Sequence, residues 1–448
     1  MNPKFSLRSL FIFICPVFSG LSETDSSNAE WDLTMPMNGF AFERARAMSP
    51  PTVDRVSPRF SRLRKLKGNS RVQGHLGVSS LERAGIAIPG KSQNVSTIGG
   101  FSTQYALQCG WDDTPVWLLF DTASSDTWAV QSDFSCQDNL GNKHKKSACA
   151  FGKPYIDGFR HGEVEGVHFY ISYASGEEVS GPMGRSDLSC GGLFVSKQQV
   201  GLANNTYWHG NNVTVGILGL AYPSITSAYY GQVGEEQPWL MIPYTPFLTR
   251  AISQGTVEPI FSVTIMRNSS DGILTWGGVP PMLWNRKSKA VTDIIIANLI
   301  DQEETAWKYS FYTIIPDGVV WGLTTDTTKY PYIVDTATTM MHLPPLLAEA
   351  IADAFEPRAT YIYQWGSYFV PCDAIAPRFA VVISGVEFWI NRADLIYQDL
   401  VDPMTGLCAC GITSGGPGPY ILGDVFLQNV LAVFDIGAAE MRFYSKDR

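Results

Sequence analysis

Residues 120–125, F-D-T-A-S-S, recur as V-D-T-A-T-T at 334–339. Each copy is entered from an apolar run, V-W-L-L-F ending at Phe120 and P-Y-I-V ending at Val334. Further along, each is followed by an apolar-apolar-Gly element, Ile217-Leu218-Gly219 and Ile421-Leu422-Gly423. A single Asp-Thr commonly closes a turn or caps a helix. Two copies in the same order, each with its own second element, point instead to two related lobes facing one another across a cleft.

Carboxylates brought together at such an interface cannot both ionise cheaply, so they share a proton and hold a water between them. One then acts as general base towards that water, the other as general acid towards a carbonyl or leaving nitrogen. Asp121 and Asp335 are therefore the candidate catalytic pair. Ser124 and Thr338, three residues beyond each Asp, are placed to hydrogen-bond the carboxylates. Thr122 and Thr336 are better suited to bond one loop to the other.

The chain around these motifs has 448 residues, 45% hydrophobic and only 17% charged, which is ample for a large core. Its 41 glycines, 19 tyrosines and 12 tryptophans, with short apolar runs broken by turn residues, favour strands over helices. Lys4 and Arg8 precede an apolar stretch from Leu10 to Phe18 and the small residues G-L-S at 20–22, the layout of a secretory signal over 1–22. Such a stretch falls well short of the roughly 20 residues a spanning helix needs, so no membrane anchor is expected. Residues 43–92 hold 11 Lys/Arg against 3 Asp/Glu, whereas residues 93–448 hold 20 against 35. A basic leader on an acidic body suits a prosegment held on its own enzyme by charge and freed when the body's carboxylates are protonated, although a basic linker would have the same composition. The acidic body argues against nucleic acid as a partner.

Seven cysteines remain after the signal, at 109, 136, 149, 190, 372, 408 and 410. In an oxidising compartment most should pair and one should be left over, and their spacing alone assigns no bridge. It does not favour zinc either, since Cys408 and Cys410 are two apart and lack a second pair at ligand spacing. Asn94, Asn204, Asn212 and Asn268 each open an N-x-S/T triplet and are candidate glycosylation sites. The chain contains no G-x-S-x-G and no H-E-x-x-H, so serine and zinc hydrolase readings find no support.

Taken together, these residues resemble the pepsin-like aspartic proteases, most closely the secreted fungal members, along most of the chain after about residue 95. L-L-F-D-T-A-S-S-D-T-W at 118–128 resembles the family's first catalytic loop, with Trp128 seven residues beyond the Asp. I-S-Y-A-S-G at 171–176 is similar to the flap, with Tyr173 as its tyrosine, and V-G-I-L-G-L-A-Y-P-S at 215–224 is a near-verbatim family segment. I-L-T-W-G-G at 273–278 resembles the end of the first lobe, and V-D-T-A-T-T-M-M-H-L-P at 334–344 the second catalytic loop. Y-I-L-G-D-V-F at 420–426 and V-F-D at 433–435 resemble the closing strands.

The resemblance implies an all-β, bilobal pepsin-like aspartic protease fold, with the active site in the cleft between an N-terminal lobe (93–285) and a C-terminal lobe (286–448). It implies an acid-active endopeptidase, secreted or sent to an acidic vacuole, that needs no cofactor or metal and acts as a monomer on polypeptide substrates. The leader, 23–92 with its end between 68 and 95, becomes an intramolecular inhibitor, and Lys65 and Lys67 are candidates to sit on the carboxylate pair. Flap and substrate contacts fall to Tyr173, Ser175, Gly176, Trp128, Ala123, Ala337 and Thr339, with Trp128 as hydrogen-bond partner of Tyr173. The disulfides implied are Cys136 with Cys149 and Cys372 with Cys408; Cys109 and Cys190 can then pair as an extra bridge, leaving Cys410 free.

The chain departs from the family where D-T-G or D-S-G is usual, since Ala stands at both 123 and 337, and Ala174 replaces the first flap glycine. If those turns needed positive φ, each Ala would cost on the order of 1 kcal/mol. The two alanines motivate a second reading, a catalytically weak or silent homologue whose cleft binds peptides or a protein partner.

Overall fold

The computed structural model describes residues 42–44, 47–68, 102–266, 271–281, 288–300, 305–416 and 418–446. The signal, Asn94, Asn268 and the region of leader cleavage lie outside these residues. The described chain is mostly β, as expected, with only short helices such as Phe247–Ser253 and Pro345–Ala352. Its main feature is a 15-stranded sheet, accompanied by a 7-stranded sheet and two 4-stranded ones. Strands alternating apolar and polar residues, including Glu178–Cys190 and Leu193–Tyr207, pair along most of their length. They close over a core containing Trp111, Trp128, Trp276, Phe169 and Phe261, all fully buried. Burial of such large rings is the dominant favourable term in a sheet protein of this size.

The sequence repeat is a structural repeat. In the first half, Gly216–Gly219 pairs in parallel with Thr114–Asp121, placing Gly219 beside Asp121, and antiparallel with Trp128–Gln137. In the second half, Tyr420–Leu422 pairs in parallel with Tyr332–Val334 and antiparallel with Met341–Leu343. Each Ile-Leu-Gly element is thus a strand flanked by the chain entering and the chain leaving a D-T-A turn. The glycine that ends each is required by close approach: a Cβ at Gly219 would lie 2.6 Å from Asp126 O, and one at Gly423 2.3 Å from Thr338 O.

The segment expected to be a leader contributes a strand to the same sheet. Phe60–Gly68 lies between Ser102–Trp111 and Asp271–Trp276, antiparallel to both. Leu63 and Leu66 are buried there, while Arg62, Arg64 and Lys67 face solvent.

Three disulfides form, Cys109–Cys190, Cys136–Cys149 and Cys372–Cys408, and Cys410 is a buried free thiol. The first follows from register, since Cys109 and Cys190 are directly opposed on neighbouring strands. Of the glycosylation candidates, Asn204 lies in Leu193–Tyr207, a strand paired on both sides, whereas Asn212 is exposed in a left-handed turn with φ 60°. Among the described residues, no helix is long and apolar enough to cross a membrane.

One buried residue makes stability depend on pH. His342, in Met341–Leu343, has no hydrogen-bond partner for Nε2, and burial lowers its pKa from 6.5 to about 4. Between those values the unfolded chain takes a proton that the folded chain refuses. Up to about 3 kcal/mol of stability is therefore present above pH 6.5 and lost as pH falls towards 4. His342→Leu should raise the melting temperature more at pH 4 than at pH 7; an equal change at both would show that folding does not depress the imidazole pKa.

Candidate active site

Asp121 ends the strand Thr114–Asp121, and Asp335 directly follows Tyr332–Val334; both side chains are fully buried. The two turns are fastened to each other reciprocally. Thr122 N donates to Thr336 Oγ1 at 3.2 Å and Thr336 N donates to Thr122 Oγ1 at 3.1 Å. Each hydroxyl then donates across the interface to a carbonyl, Thr122 to Val334 O and Thr336 to Phe120 O. All four backbone and hydroxyl groups are satisfied within this exchange, as a buried junction requires.

Each carboxylate is gripped in the same way. Asp121 Oδ1 accepts from Ala123 N at 2.7 Å and Oδ2 from Ser124 Oγ at 2.5 Å. Asp335 Oδ1 accepts from Ala337 N at 2.8 Å and Oδ2 from Thr338 Oγ1 at 2.5 Å. Burial, and then the charge of Asp335, push the carboxyl of Asp121 well above the ordinary range; burial raises that of Asp335 as well. The hydrogen bonds oppose this and lose, so the pair retains a proton at pH values where free aspartates are ionised.

The alanines are accommodated without strain. Neither Ala123, Ala337 nor Ala174 adopts a positive φ, and the two N–H groups that matter still reach the carboxylates. The methyl of Ala123 packs in a small apolar cluster with Ala221, Ile225 and Ile333, against which Ala174 of the flap rests. Ala123→Gly and Ala337→Gly should each destabilise by about 1 kcal/mol through greater freedom of the unfolded chain, with the turnover rate unchanged. A tenfold gain in rate, about 1.4 kcal/mol, would show that the methyls obstruct the cleft.

The segment expected to be the flap is the turn joining Glu163–Ser172 to Glu178–Cys190. Tyr173 N donates to Glu177 O and Gly176 N to Tyr173 O, and Gly176 supplies the left-handed residue with φ 91°. Trp128 Nε1 donates to Tyr173 Oη at 2.8 Å, the partnership expected from the resemblance. Ser175 is turned inward, its Oγ donating to Glu177 Oε2 at 2.9 Å. Thr339 is buried, and its hydroxyl bonds both N and O of Thr103. Lys65 is half-buried in the strand Phe60–Gly68, and its charge acts on Asp424.

Several residues at the site escaped the motif reading. Trp208 packs edge-on against both Trp128 and Tyr173, buttressing the flap. Beside it, the buried Glu177 accepts from His209 N at 2.7 Å. Asp424 is a further buried carboxylate, raised well above its ordinary range by burial first and by the Asp335 charge second. Asp126, the other acid of the opening motif, is a fastening: it accepts from Ser227 N and from Tyr244 Oη at 2.9 Å. Among the described residues, no cluster of His, Cys, Asp or Glu could hold a metal ion.

Residues 105–445 match the family model described as eukaryotic aspartyl protease. The chain is 34% identical over 451 residues to a protein of Aspergillus fumigatus named as a probable aspartic-type endopeptidase, covering 98% of this chain and 99% of that one. It is 26% identical over 375 residues to gastricsin of Rattus norvegicus, covering 78% and 85% respectively. The crystal structure of an aspartic proteinase from Irpex lacteus superposes with a TM-score of 0.58 at 19% identity, covering 77% of this chain and 94% of that one, a likeness of fold.

Proposed function

The chain belongs to the eukaryotic aspartyl protease family, and from that premise we propose that Asp121 and Asp335 are its catalytic pair, hydrolysing peptide bonds in acid by activating a water between them. The observation that supports this most is the symmetric grip on two fully buried carboxylates whose pKa values burial has raised. With one proton shared, the ionised carboxylate takes a proton from the water as it attacks the substrate carbonyl. The protonated one donates to the carbonyl oxygen; as the C–N bond breaks, the proton taken from the water passes to the leaving nitrogen and a hydroxyl of the diol returns its proton to the other carboxylate. Fixed donors at each carboxylate mean that little reorganisation accompanies the charge movement. Tyr173, held by Trp128 and packed on Trp208, closes over the substrate and excludes bulk water.

In this reading the chain is secreted as a zymogen. Residues 1–22 are the signal, 23–92 the leader, and 93–285 and 286–448 the two lobes. Unfolded polypeptide should be cut in acid, at about pH 3–5. A statine-type transition-state inhibitor should stop the cutting. If the leader-free chain cuts nothing, or the inhibitor leaves cutting untouched, the proposal is wrong.

A further inference from the structure

The net positive charge of the leader suggests that its lysines and arginines bind the acidic body. Its best-formed contact has the opposite polarity. Arg442, in the strand Glu440–Ser445, is only 2% exposed. Its Nη1 donates to Asp54 Oδ1 at 2.5 Å and to Thr52 O at 2.6 Å, both in the leader. The guanidinium is held from behind by Asp435, through Nη2, and by Glu440 Oε1, which accepts from Nε at 2.7 Å. Asp435 Oδ2 also accepts from Thr52 N at 2.8 Å, so both backbone polar groups of Thr52 are read. Tyr444 Oη donates to Asp54 Oδ2, and Lys289 Nζ lies 3.4 Å from the same oxygen.

The flanking leader backbone is bound as well. Met48 N and Ser49 N donate to Gly437 O, Ser57 N donates to Val279 O, and Arg55 O accepts from Val279 N. Arg55 and Arg62 meanwhile face solvent, while Arg59 Nη1 donates to Thr256 O and Arg64 lies over the Trp117 ring. An extended peptide whose main chain is read at one residue and whose carboxylate is read two residues later is bound by a built site, with charge-assisted hydrogen bonds at its centre.

We propose that Arg442, Asp435, Tyr444 and Lys289 form a docking site for an acidic peptide segment, that its occupant is Thr52–Asp54 of this chain's own leader, and that loss of the Asp54 charge in acid releases it. The inference rests on the reading of residues 23–92 as a removable leader. The charged and titratable groups around Asp54 are Arg442, Tyr444 and Glu440 on one strand, Asp435 on the next, and Lys289 on Lys289–Asp293. Burial raises the pKa of Asp54, but the Tyr444 hydrogen bond and the Arg442 charge outweigh it, and the net shift is downward. A lowered pKa means that the anchor is at full strength above the ordinary aspartate range and is lost as pH falls through the folded value. The direction matches a leader retained near neutrality and freed in acid.

Amide hydrogen exchange on the full chain carrying Asp121→Asn, which cannot process itself, tests the proposal without relying on activity. At pH 6 the amides of 52–57 should be protected, and adding Asp54→Asn should speed their exchange by about tenfold or more, the scale of a lost charge-assisted bond. With Asp54 intact that protection should fall, after correction for intrinsic rates, only as pH drops below the ordinary aspartate range, whereas with Asp54→Asn it should be low throughout. Equal protection in the two chains at pH 6, or the same acid release in both, would overturn the proposal. If the exchange is as predicted but the leader-free chain with Asp121 intact cuts no substrate, the docking site stands and the protease reading is refuted.

Discussion

Asp335→Asn is expected to abolish peptide hydrolysis, lowering the turnover rate by about four orders of magnitude or more, while the chain stays folded. An amide cannot take the proton from water, and with only one carboxylate the site has either its base or its acid but never both. Asp121→Asn should cost as much, and the double variant little more, because the pair acts as a unit. Stability should move the other way at neutral pH. Burial and the partner's charge raise these carboxyl pKa values, so the stability they allow is complete in acid and is lost as pH rises through the folded values. Asp335→Asn removes one buried charge, and its melting temperature should therefore fall less between pH 4 and 7.5 than that of the parent chain. A variant that is inactive but shows the parent's pH dependence would mean that the pair does not share a proton.

Thr336→Val is expected to be nearly as damaging by a different route. The hydroxyl of Thr336 accepts from Thr122 N and donates to Phe120 O. Replacing it by a methyl leaves a buried N–H and a buried carbonyl without partners, at about 1–3 kcal/mol each. The two turns would then lose half of the exchange that fixes one carboxylate against the other. A fall in turnover of about a hundredfold is expected, since misplacement by an ångström has that effect on reacting groups. Thr336→Ser restores the hydroxyl and should restore both stability and rate. Failure of the serine variant to rescue would mean that the methyl packing of Thr336, and not its hydrogen bonds, sets the geometry.

What could be read from the sequence was whatever repeats or is local. The D-T-A turns and the Ile-Leu-Gly strands stand out because each half needs the same close approach, with Gly219 and Gly423 packed against the turn. Thr122 and Thr336 were legible as a pair for the same reason. Residues brought in from a distance left no such mark. Trp208 buttresses the flap only because Leu193–Tyr207 ends there, and Asp424 becomes a further carboxylate only through its nearness to Asp335. The hydrogen bond from Thr103 N to Thr339 Oγ1, joining residues far apart in the chain, is likewise invisible to the motif. The charge count suggested a basic leader held by an acidic body. The contact between Asp54 and Arg442, far apart in the chain, reverses that polarity locally, which a summed charge cannot reveal.

The central claim is that one proton shared by Asp121 and Asp335 is needed for the chemistry. Its most direct test is the pH dependence of kcat/KM for the leader-free chain on a peptide substrate, followed from about pH 2 to 8. A bell confined to acid, falling as the second carboxylate ionises and absent from Asp335→Asn, is the predicted result. Activity that persists on a plateau above pH 7 would contradict it.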